Sequence, residues 1–299
     1  MKNDIPVYDI GIFKAYKNSG IIVSRFGHYA EEYKHLHTAH RHSFYHLVYF
    51  TKGAGVQQID FKEYPILPGL IYFMTPGQVH SWSFTEEVDG YIINFSEAFF
   101  SSYLSNPQYL QNFNFFAELA TDTVYVLPAD FREKISSLFE DILMEGKDPG
   151  AFHEDMVRII MLNIFIQVSR AMELEHLVQN NPHNQKLLIS FKKLIEANFM
   201  KLRFPKQYAE LLFITPNHLN ALTNDQLGIS AGQLIRERII LEAKRLLINM
   251  DLSVSDISNK LSFNDESYFI KFFKKETGFT PNKFRKQNWG SDASAKIIM

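Results

Sequence analysis

The sequence predicts an α+β chain: a small antiparallel barrel, a helical hairpin, and then an all-helical part that contains two helix-turn-helix units. From residue 20 to 95, short runs of Val, Ile, Tyr and Phe alternate with turn-forming Gly and Pro, a pattern typical of short strands. From residue 128 onward, apolar residues recur at three- and four-residue steps, as they do on helices. Near the carboxyl end a helix, turn and helix pattern occurs twice.

The changes of pattern divide the chain into five segments. These are a sensing barrel at 1–127, a helical hairpin at 128–172, a polar linker at 173–184, a double helix-turn-helix domain at 185–289 and a disordered tail at 290–299. The linker is placed where polar and turn-forming residues separate two helical stretches. A chain of 299 residues is long enough for two domains with separate cores.

Turn signals divide the first segment into strands. They lie at Lys52-Gly53-Ala54-Gly55, Leu67-Pro68-Gly69 and Pro76-Gly77. Several short strands at this spacing are typical of a small antiparallel barrel or sandwich.

The hairpin carries two apolar stripes. In its first helix the stripe is Phe131, Ile135, Leu138, Phe139 and Ile142. In its second helix, from about 152 to 172, we expect Met156, Ile159, Ile160, Asn163, Ile164 and Val168 to point inward. The first stripe is a candidate dimer surface, and packing against the chain's own barrel explains it equally well.

Composition narrows the class of protein. The hydrophobic share of 46% and the charged share of 21% are those of a globular protein. Without cysteine, the chain has no disulfide and no thiolate metal site. The most apolar stretch, 159–168, is about half of a bilayer span, and the start has no signal-peptide run. We therefore expect a cytoplasmic protein with no membrane partner.

The net charge of −2 conceals a division between the two halves. Residues 185–289 hold 17 Lys and Arg against 10 Asp and Glu, a balance of +7, whereas residues 1–184 hold 13 against 22, a balance of −9. A basic carboxyl-terminal part fits double-stranded DNA, because each phosphate contact by a cation releases condensed counterions. The acidic part is better suited to sensing or assembly.

Each helix-turn-helix unit offers a second helix with an outward face. In the second unit Asn264 or Asp265 caps this helix, Phe269 and Phe273 form its apolar stripe, and Gly278 ends it. The residues expected to face DNA are Asn217, His218, Asn220, Ala221 and Asn224 in the first unit, and Glu266, Ser267, Ile270, Lys271 and Lys274 in the second. The alternative is a helical protein-interaction domain whose phenylalanines are all core.

The residues from about Lys186 to Gln287 closely resemble the AraC/XylS-type transcription regulators. The resemblance rests on Tyr268-Phe269, Phe273-Lys274-Lys275, Thr277-Gly278, Thr280-Pro281 and Phe284-Arg285. It implies a sequence-specific activator of transcription that forms a homodimer, contacts RNA polymerase and responds to a small molecule held in its barrel. Two positions depart from the family. Ser262 stands where a turn glycine is usual, and Thr223-Asn224-Asp225 replaces the Phe-Lys-Lys run in the first unit.

Seven of the eleven histidines precede residue 81. His40, His42 and His46 lie at even spacing, so a strand would point all three to one face, and His80 follows a Pro-Gly turn. This segment resembles the cupin barrel, whose enzymes bind a metal. Four imidazoles would suit a divalent zinc, nickel, copper or iron ion. The resemblance implies instead a barrel that holds a ligand without metal, so we expect the cluster to have a structural or hydrogen-bonding role and expect no cofactor, with a divalent metal site as the alternative.

A small-molecule pocket is expected around this cluster, with an apolar body and a few polar groups. Its candidate residues are His40, His42, His46, His80, Trp82, Tyr45, Tyr91 and Arg25. No nucleophile motif, phosphate-binding glycine loop or dinucleotide fingerprint occurs in the sequence, so no catalytic residue is predicted. Two alternatives remain open: a metal-dependent cupin enzyme fused to a DNA-binding domain, and a ligand-independent regulator whose barrel only dimerises.

Overall fold

The structure, a computed structural model, describes residues 5–13, 20–101, 103–104, 106, 109–116, 123–147, 149–176, 182–248 and 251–289. The predicted tail at 290–299 and positions 177–181 of the predicted linker lie outside these ranges. The chain divides into two compact units, one within Pro6–Gln179 and one within Asn180–Met299. The predicted α+β class, with strands first and helices after them, is confirmed.

The described residues of the amino-terminal unit form ten strands. They are β1 (Val7–Tyr8), β2 (Ile21–Arg25), β3 (His40–His42), β4 (Tyr45–Lys52), β5 (Gly55–Ile59), β6 (Lys62–Ile66), β7 (Leu70–Met74), β8 (Val79–Phe84), β9 (Asp89–Phe95) and β10 (Val124–Val126). One five-stranded sheet has the order β1-β3-β8-β5-β6, and the other has the order β10-β7-β4-β9-β2. Two short helices, α1 (Phe26–Glu32) and α2 (Glu97–Ser101), interrupt the strands.

Alternation along β4 separates two cores. Val48 and Phe50 belong to an apolar cluster that draws residues from both sheets, and Leu47 and Tyr49 belong to a second cluster on the other face. Because side chains alternate across a strand, one residue in two faces the space between the sheets. That space therefore receives His46 along with Val48 and Phe50.

The hairpin consists of α3 (Ala129–Lys147) and α4 (His153–His176). Ile135, Phe139 and Ile142 of α3 are buried in the cluster that contains Leu47 and Tyr49. The predicted stripe thus packs against the sheet of its own unit. These three side chains are not available as a dimer surface.

The inward face predicted for α4 is partly wrong. Met156 and Ile159 are 46% and 52% exposed, whereas Val157, Met161 and Phe165 are buried. Apolar residues occupy almost every side of this helix, so their period does not fix its rotation. A polar anchor contributes to the rotation: Arg158 is buried, and its Nε donates to the carbonyl oxygen of Phe99 at 2.8 Å.

The carboxyl-terminal unit is helical throughout its described residues. Its helices are α5 (Pro182–Asn198), α6 (Pro205–Leu211), α7 (Pro216–Leu227), α8 (Ala231–Leu247), α9 (Val254–Lys260), α10 (Glu266–Thr277) and α11 (Pro281–Trp289). The pairs α6–α7 and α9–α10 form the two helix-turn-helix units, and α8 joins them. Among the described residues, no helix is both long enough and apolar enough to cross a membrane.

Candidate nucleic-acid interface and histidine cluster

The same turn connects the helices of both units. Phe213 and Ser262 have φ angles of 55° and 54°, in the left-handed region. After the turn, Thr215 caps α7 by accepting from the His218 N–H at 3.1 Å, and Asp265 caps α10 by accepting from the Tyr268 N–H at 2.7 Å. These caps fix where each second helix begins.

The second helix of the second unit, α10, has a buried aromatic face and a charged outer face. Phe269 and Phe273 are fully buried, and their rings lie 6.0 Å apart. The expected DNA-facing residues Glu266, Ser267, Lys271 and Lys274 are exposed, and Ile270 is half-buried. On the outer side of α10, Glu266 and Ser267 thus lie at the start of the helix, and Lys271 and Lys274 lie nearer its end.

The corresponding helix of the first unit, α7, presents fewer charges. Asn217, His218, Ala221 and Asn224 are exposed. Asn220 differs, because it is half-buried and its Oδ1 accepts from the Ala231 N–H at 3.1 Å. The Asn220 amide oxygen therefore bonds the first residue of α8. The spacing of residues in the sequence does not show this contact between two helices.

Two arginines make contacts with the second helix-turn-helix unit from outside it. The Arg203 guanidinium lies 3.8 Å from the Phe263 ring centre and donates to the carbonyl oxygen of Leu261. Arg236 on α8 pairs with Glu276 on α10 at 3.1 Å. The first contact joins the segment before α6 to the turn of the second helix-turn-helix unit, and the second joins α8 to α10.

A cleft of about 350 Å³ lies between the two helix-turn-helix units. Its basic walls come from Arg203, Arg236, Lys271 and Lys275, and Tyr268 and Glu276 also line it. Tyr268, Lys271, Lys275 and Glu276 lie on one side of α10 at helical spacing. Arg203 precedes α6 and Arg236 lies on α8, so no local spacing pattern connects these two arginines with α10.

A buried ion-pair group stabilises α8. The Arg238 Nε donates to both carboxylate oxygens of Glu196, at 2.9 and 3.0 Å, and its Nη1 donates to Glu242 at 3.0 Å. The guanidinium also lies 3.9 Å from the Phe199 ring centre. Loss of one partner would leave a buried charge uncompensated and strongly destabilise the protein. Because Glu196 lies on α5 and Arg238 on α8, these contacts fix the two helices relative to each other.

In the amino-terminal unit, three histidines meet on the inner face of one sheet. β3 and β8 are antiparallel neighbours in which His40 is directly opposite His80, and His42 follows two residues after His40. The Nε2 of His42 lies 3.1 Å from the Nε2 of His40 and 2.8 Å from the Nε2 of His80. All three residues are buried. Of the four histidines predicted to gather, these three form one group, which we call the histidine triad.

Burial keeps these imidazoles neutral at ordinary pH. Loss of hydration lowers the pKa of His40 to about 4 and takes the pKa of His42 and of His80 well below the usual value. Neighbouring imidazoles add to the lowering, since protonation of one ring disfavours protonation of the next. A neutral imidazole is the form that binds a metal ion or accepts a hydrogen bond.

His46 lies beside the triad but bonds elsewhere. Its Nδ1 is 2.7 Å from Asn94 Oδ1, and its Nε2 is 3.2 Å from the Tyr72 hydroxyl. The Trp82 indole N–H donates to the same hydroxyl at 3.0 Å. A consistent chain therefore runs from Trp82 through Tyr72 and His46 to Asn94. It occupies both ring nitrogens of His46, and burial lowers the pKa of this histidine to about 3.

Three of the predicted pocket residues do not lie with the histidines. Tyr45 stacks on Phe95 with ring centres 5.0 Å apart, within the cluster on the helix-facing side of the sheet. Arg25 pairs with Asp89 and Glu140, and Tyr91 donates to Glu140 at 2.7 Å. Placing them in one pocket with the histidines was wrong. Tyr45 is adjacent to His46 and so points to the opposite face.

Aromatic rings occupy the space beside the triad. Trp82 lies 4.8 Å from His80 and 5.6 Å from Phe26 between ring centres, and Phe26 lies 4.8 Å from Phe50. Of the predicted pocket residues, Trp82 is thus the one that joins the four histidines. Ring contacts at these spacings fill much of the region between the sheets.

Both units match known protein families. Residues 208–287 match a helix-turn-helix domain model, and residues 23–162 match the model of the AraC-like ligand binding domain. The chain belongs to the AraC family of transcription regulators. This AraC-family regulator is a DNA-binding transcription regulator with a ligand-binding domain, as the sequence predicted.

Two curated relatives and one solved structure match this AraC-family regulator over most of their length. The arabinose operon regulatory protein of Escherichia coli (strain K12) is 24% identical over 239 residues, which cover 78% of this chain and 77% of that protein. The HTH-type transcriptional activator RhaR of Mannheimia succiniciproducens is 20% identical over 249 residues, covering 83% and 87%. The crystal structure of ToxT from Vibrio cholerae O395 gives a TM-score of 0.41 at 14% identity, covering 83% of this chain and 91% of that one.

Proposed function

We propose that this regulator reads a specific duplex sequence with both α7 and α10, and that ligand binding in its amino-terminal domain alters the reading. The observation that carries the first part is the exposure of Asn217 and His218 on α7, and of Glu266, Ser267 and Lys271 on α10, after identical turns. Side chains near the start of a recognition helix are those that reach base edges in the major groove.

The chemistry of each helix start supports a specific role. The Asn217 amide suits the paired donor and acceptor of adenine, and the Glu266 carboxylate suits the amino group of cytosine. Lys271 and Lys274 supply the charge for phosphates or guanine. The balance of +7 in residues 185–289 favours the same polyanionic partner. With its polar side chains and no cation, α7 contributes less affinity than α10.

Selection of bound fragments from genomic DNA tests this assignment. The full chain is expected to enrich a common motif, and Asn217→Ala and Glu266→Ala are each expected to relax preference at one position or two neighbouring positions of it. An exposed acid on α8, changed in Glu237→Ala, provides the matched control and is expected to leave the motif unchanged. An unaltered motif in both test variants would remove these side chains from base recognition.

We further propose that the regulator works in the cytoplasm as a homodimer and activates transcription with RNA polymerase. The homodimer and the contact with RNA polymerase are what membership of the family implies. Activation is supported by the related protein RhaR, which is named a transcriptional activator. The apolar stripe of α3 is committed to its own sheet, so the dimer requires another surface; Met156 and Ile159 on α4 are exposed apolar candidates. Sedimentation of the chain with Ile159→Asp, against Arg170→Gln at an exposed polar position of the same helix, would test that surface.

A small organic effector in the amino-terminal domain is the proposed signal. The match to the AraC-like ligand binding domain family covers residues 23–162, which include the triad, Tyr72 and Trp82. Coupling of about 1 to 3 kcal/mol between effector and DNA would suffice for a regulatory switch. Footprints with and without candidate effectors test it, and the same footprint under every effector that binds would contradict it.

A further inference from the structure

We propose that the histidine triad, His40, His42 and His80, binds one divalent transition-metal ion of the zinc class through its three Nε2 atoms. The inference concerns the amino-terminal unit alone and does not rest on DNA binding. It differs from the four-histidine site that the sequence left open as an alternative, because it leaves out His46 and names the ligand atoms.

The spacing of the three nitrogens fits a common cation. Two imidazole nitrogens that each lie about 2.0 to 2.1 Å from one ion are about 2.9 to 3.4 Å apart at bond angles between square and tetrahedral. The observed separations from His42 Nε2 are 3.1 Å to His40 and 2.8 Å to His80, and all three ligand atoms lie within 4.8 Å of one another. Ring movements that bring His40 Nε2 and His80 Nε2 into the same range would place one ion between all three.

The positions of the ring protons indicate that a bound cation satisfies the three Nε2 atoms better than hydrogen bonds among the rings. His40 Nδ1 lies 2.8 Å from the Thr38 carbonyl oxygen, an acceptor, so the proton of this neutral ring is on Nδ1 and its Nε2 carries a lone pair. If His42 Nε2 is protonated, it donates to His40, and His80 Nε2 cannot donate back to it. If His42 Nε2 is not protonated, it meets the lone pair of His40 at 3.1 Å. A single proton therefore satisfies both close contacts poorly, whereas a cation accepts all three lone pairs.

The surroundings hold the ligand atoms in place. The bond from His40 Nδ1 to a backbone carbonyl is the usual outer contact of a metal-bound histidine. Within the part of the chain that the structure describes, the buried Nδ1 atoms of His42 and His80 have no hydrogen-bond partner, so Nε2 provides the polar contacts of both rings. The triad also joins neighbouring strands β3 and β8, which fixes the rings on a rigid sheet rather than on a loop.

The donor set determines the class of ion. Three neutral imidazoles suit zinc, nickel, copper or iron(II), whereas calcium and magnesium require oxygen ligands. His46 is excluded because its two ring nitrogens already bond Asn94 and Tyr72. Three protein ligands also leave a coordination position open, which an exogenous oxygen or nitrogen donor would fill.

Cobalt(II) and zinc(II) are the probes for the test. The full chain, stripped with a chelator and dialysed, is titrated with cobalt(II) while visible absorption is followed, and zinc(II) is then added to displace it. We expect one equivalent of cobalt with ligand-field bands, displacement by one equivalent of zinc, and a higher melting temperature with either ion. Less than half an equivalent of bound cobalt, or no change in melting temperature, would overturn the proposal.

Variants assign the ligands. His40→Gln and His80→Gln are expected to weaken cobalt binding at least a hundredfold, while His46→Gln retains one equivalent. The control is His28→Gln, because the His28 side chain is 74% exposed in the same unit and is expected to bind nothing. Loss of binding in His28→Gln or in His46→Gln, or retention in His80→Gln, would contradict the assignment.

X-ray absorption of the zinc-loaded natural chain serves if a triad variant fails to fold. Three imidazole nitrogens at about 2.0 Å are expected. Fewer than three would contradict the triad. DNA binding measured on the same metal-free sample separates the two proposals, since a regulator that binds DNA but no metal leaves the proposed function standing and removes the metal site.

Discussion

The backbones of Phe213 and Ser262 adopt the same left-handed conformation at the same point of two successive helix-turn-helix units. In the first turn the Ile214 N–H donates to the Ala209 carbonyl at 3.0 Å, and in the second the Phe263 N–H donates to the Ser258 carbonyl at 2.9 Å. The turn geometry is therefore repeated although neither turn contains the glycine that such a conformation favours.

Ser262→Gly is expected to stabilise the protein by up to about 1 kcal/mol. Glycine removes the penalty of a side chain at positive φ, although part of this gain is offset by the greater freedom of glycine in the unfolded chain. Denaturant unfolding of the full chain measures the change. Ser262→Val is the matched control and is expected to destabilise, because a β-branched residue tolerates this conformation poorly. Equal midpoints for both variants would mean that the turn carries no strain.

Phe273→Ala is expected to lower the free energy of unfolding by about 3 to 5 kcal/mol, because it leaves a cavity beneath α10. Phe273 is fully buried, whereas Phe213 is 95% exposed. Phe213→Ala is therefore expected to change stability by less than about 0.5 kcal/mol. Denaturant melts of the two variants make a direct comparison. A small loss for Phe273→Ala would contradict the rotation assigned to α10.

The amino-terminal unit is expected to lose stability as the pH falls from about 6.5 toward 4 in the presence of a chelator. Burial lowers the pKa of His40 to about 4 in the folded state, while unfolded histidine titrates near 6.5. Between these values the unfolded chain binds more protons, so stability falls with pH. For His40 alone the loss at pH 4 amounts to about 3 kcal/mol.

Trp82 provides the readout for this pH dependence, because its ring lies 4.8 Å from that of His80. The Trp289→Phe variant leaves Trp82 as the sole tryptophan. Denaturant melts followed by its fluorescence at several pH values are expected to move to lower midpoints below pH 6.5. His28→Gln should leave that dependence intact. A flat midpoint between pH 6.5 and 4 would contradict the neutral, buried triad.

Lys271→Ala and Lys274→Ala are each expected to reduce the salt slope of DNA binding by about one if the side chain contacts a phosphate. Both lysines are exposed on α10. Binding isotherms at several salt concentrations give the slope. Lys134→Ala changes an exposed lysine of the amino-terminal unit and serves as the control. A slope equal to that of the natural chain would remove the substituted lysine from the set of phosphate contacts.

The carboxyl-terminal helices were largely predictable because local signals mark their ends. Pro216 and Pro281 stand at the first positions of their helices, Asp265 caps α10, and Gly228 and Gly278 end α7 and α10 in the left-handed conformation. Such signals act within a few residues. Contacts between elements, such as Asn220 with Ala231 or Arg203 with Phe263, depend on the assembled fold and leave no period in the sequence.

The histidine cluster was predictable in part because its spacing is also a local signal. Even spacing of His40, His42 and His46 fixes a common side of an extended chain. It does not show that the chain crosses from one sheet to the other between His42 and Tyr45, nor that Asn94 and Tyr72 bond His46. Arg25 and Tyr91 were misplaced because strand order, which puts them beside Glu140, is not encoded locally.

Hydroxyl-radical footprinting of the full chain on a selected fragment tests the central claim most directly. Two recognition helices that enter successive major grooves are expected to protect two stretches about one helical turn apart on one face of the duplex. With Lys271→Ala and Lys274→Ala combined, the stretch assigned to α10 should fade first. A single protected stretch per chain, or protection that persists unchanged in the double variant, would contradict DNA reading by both α7 and α10.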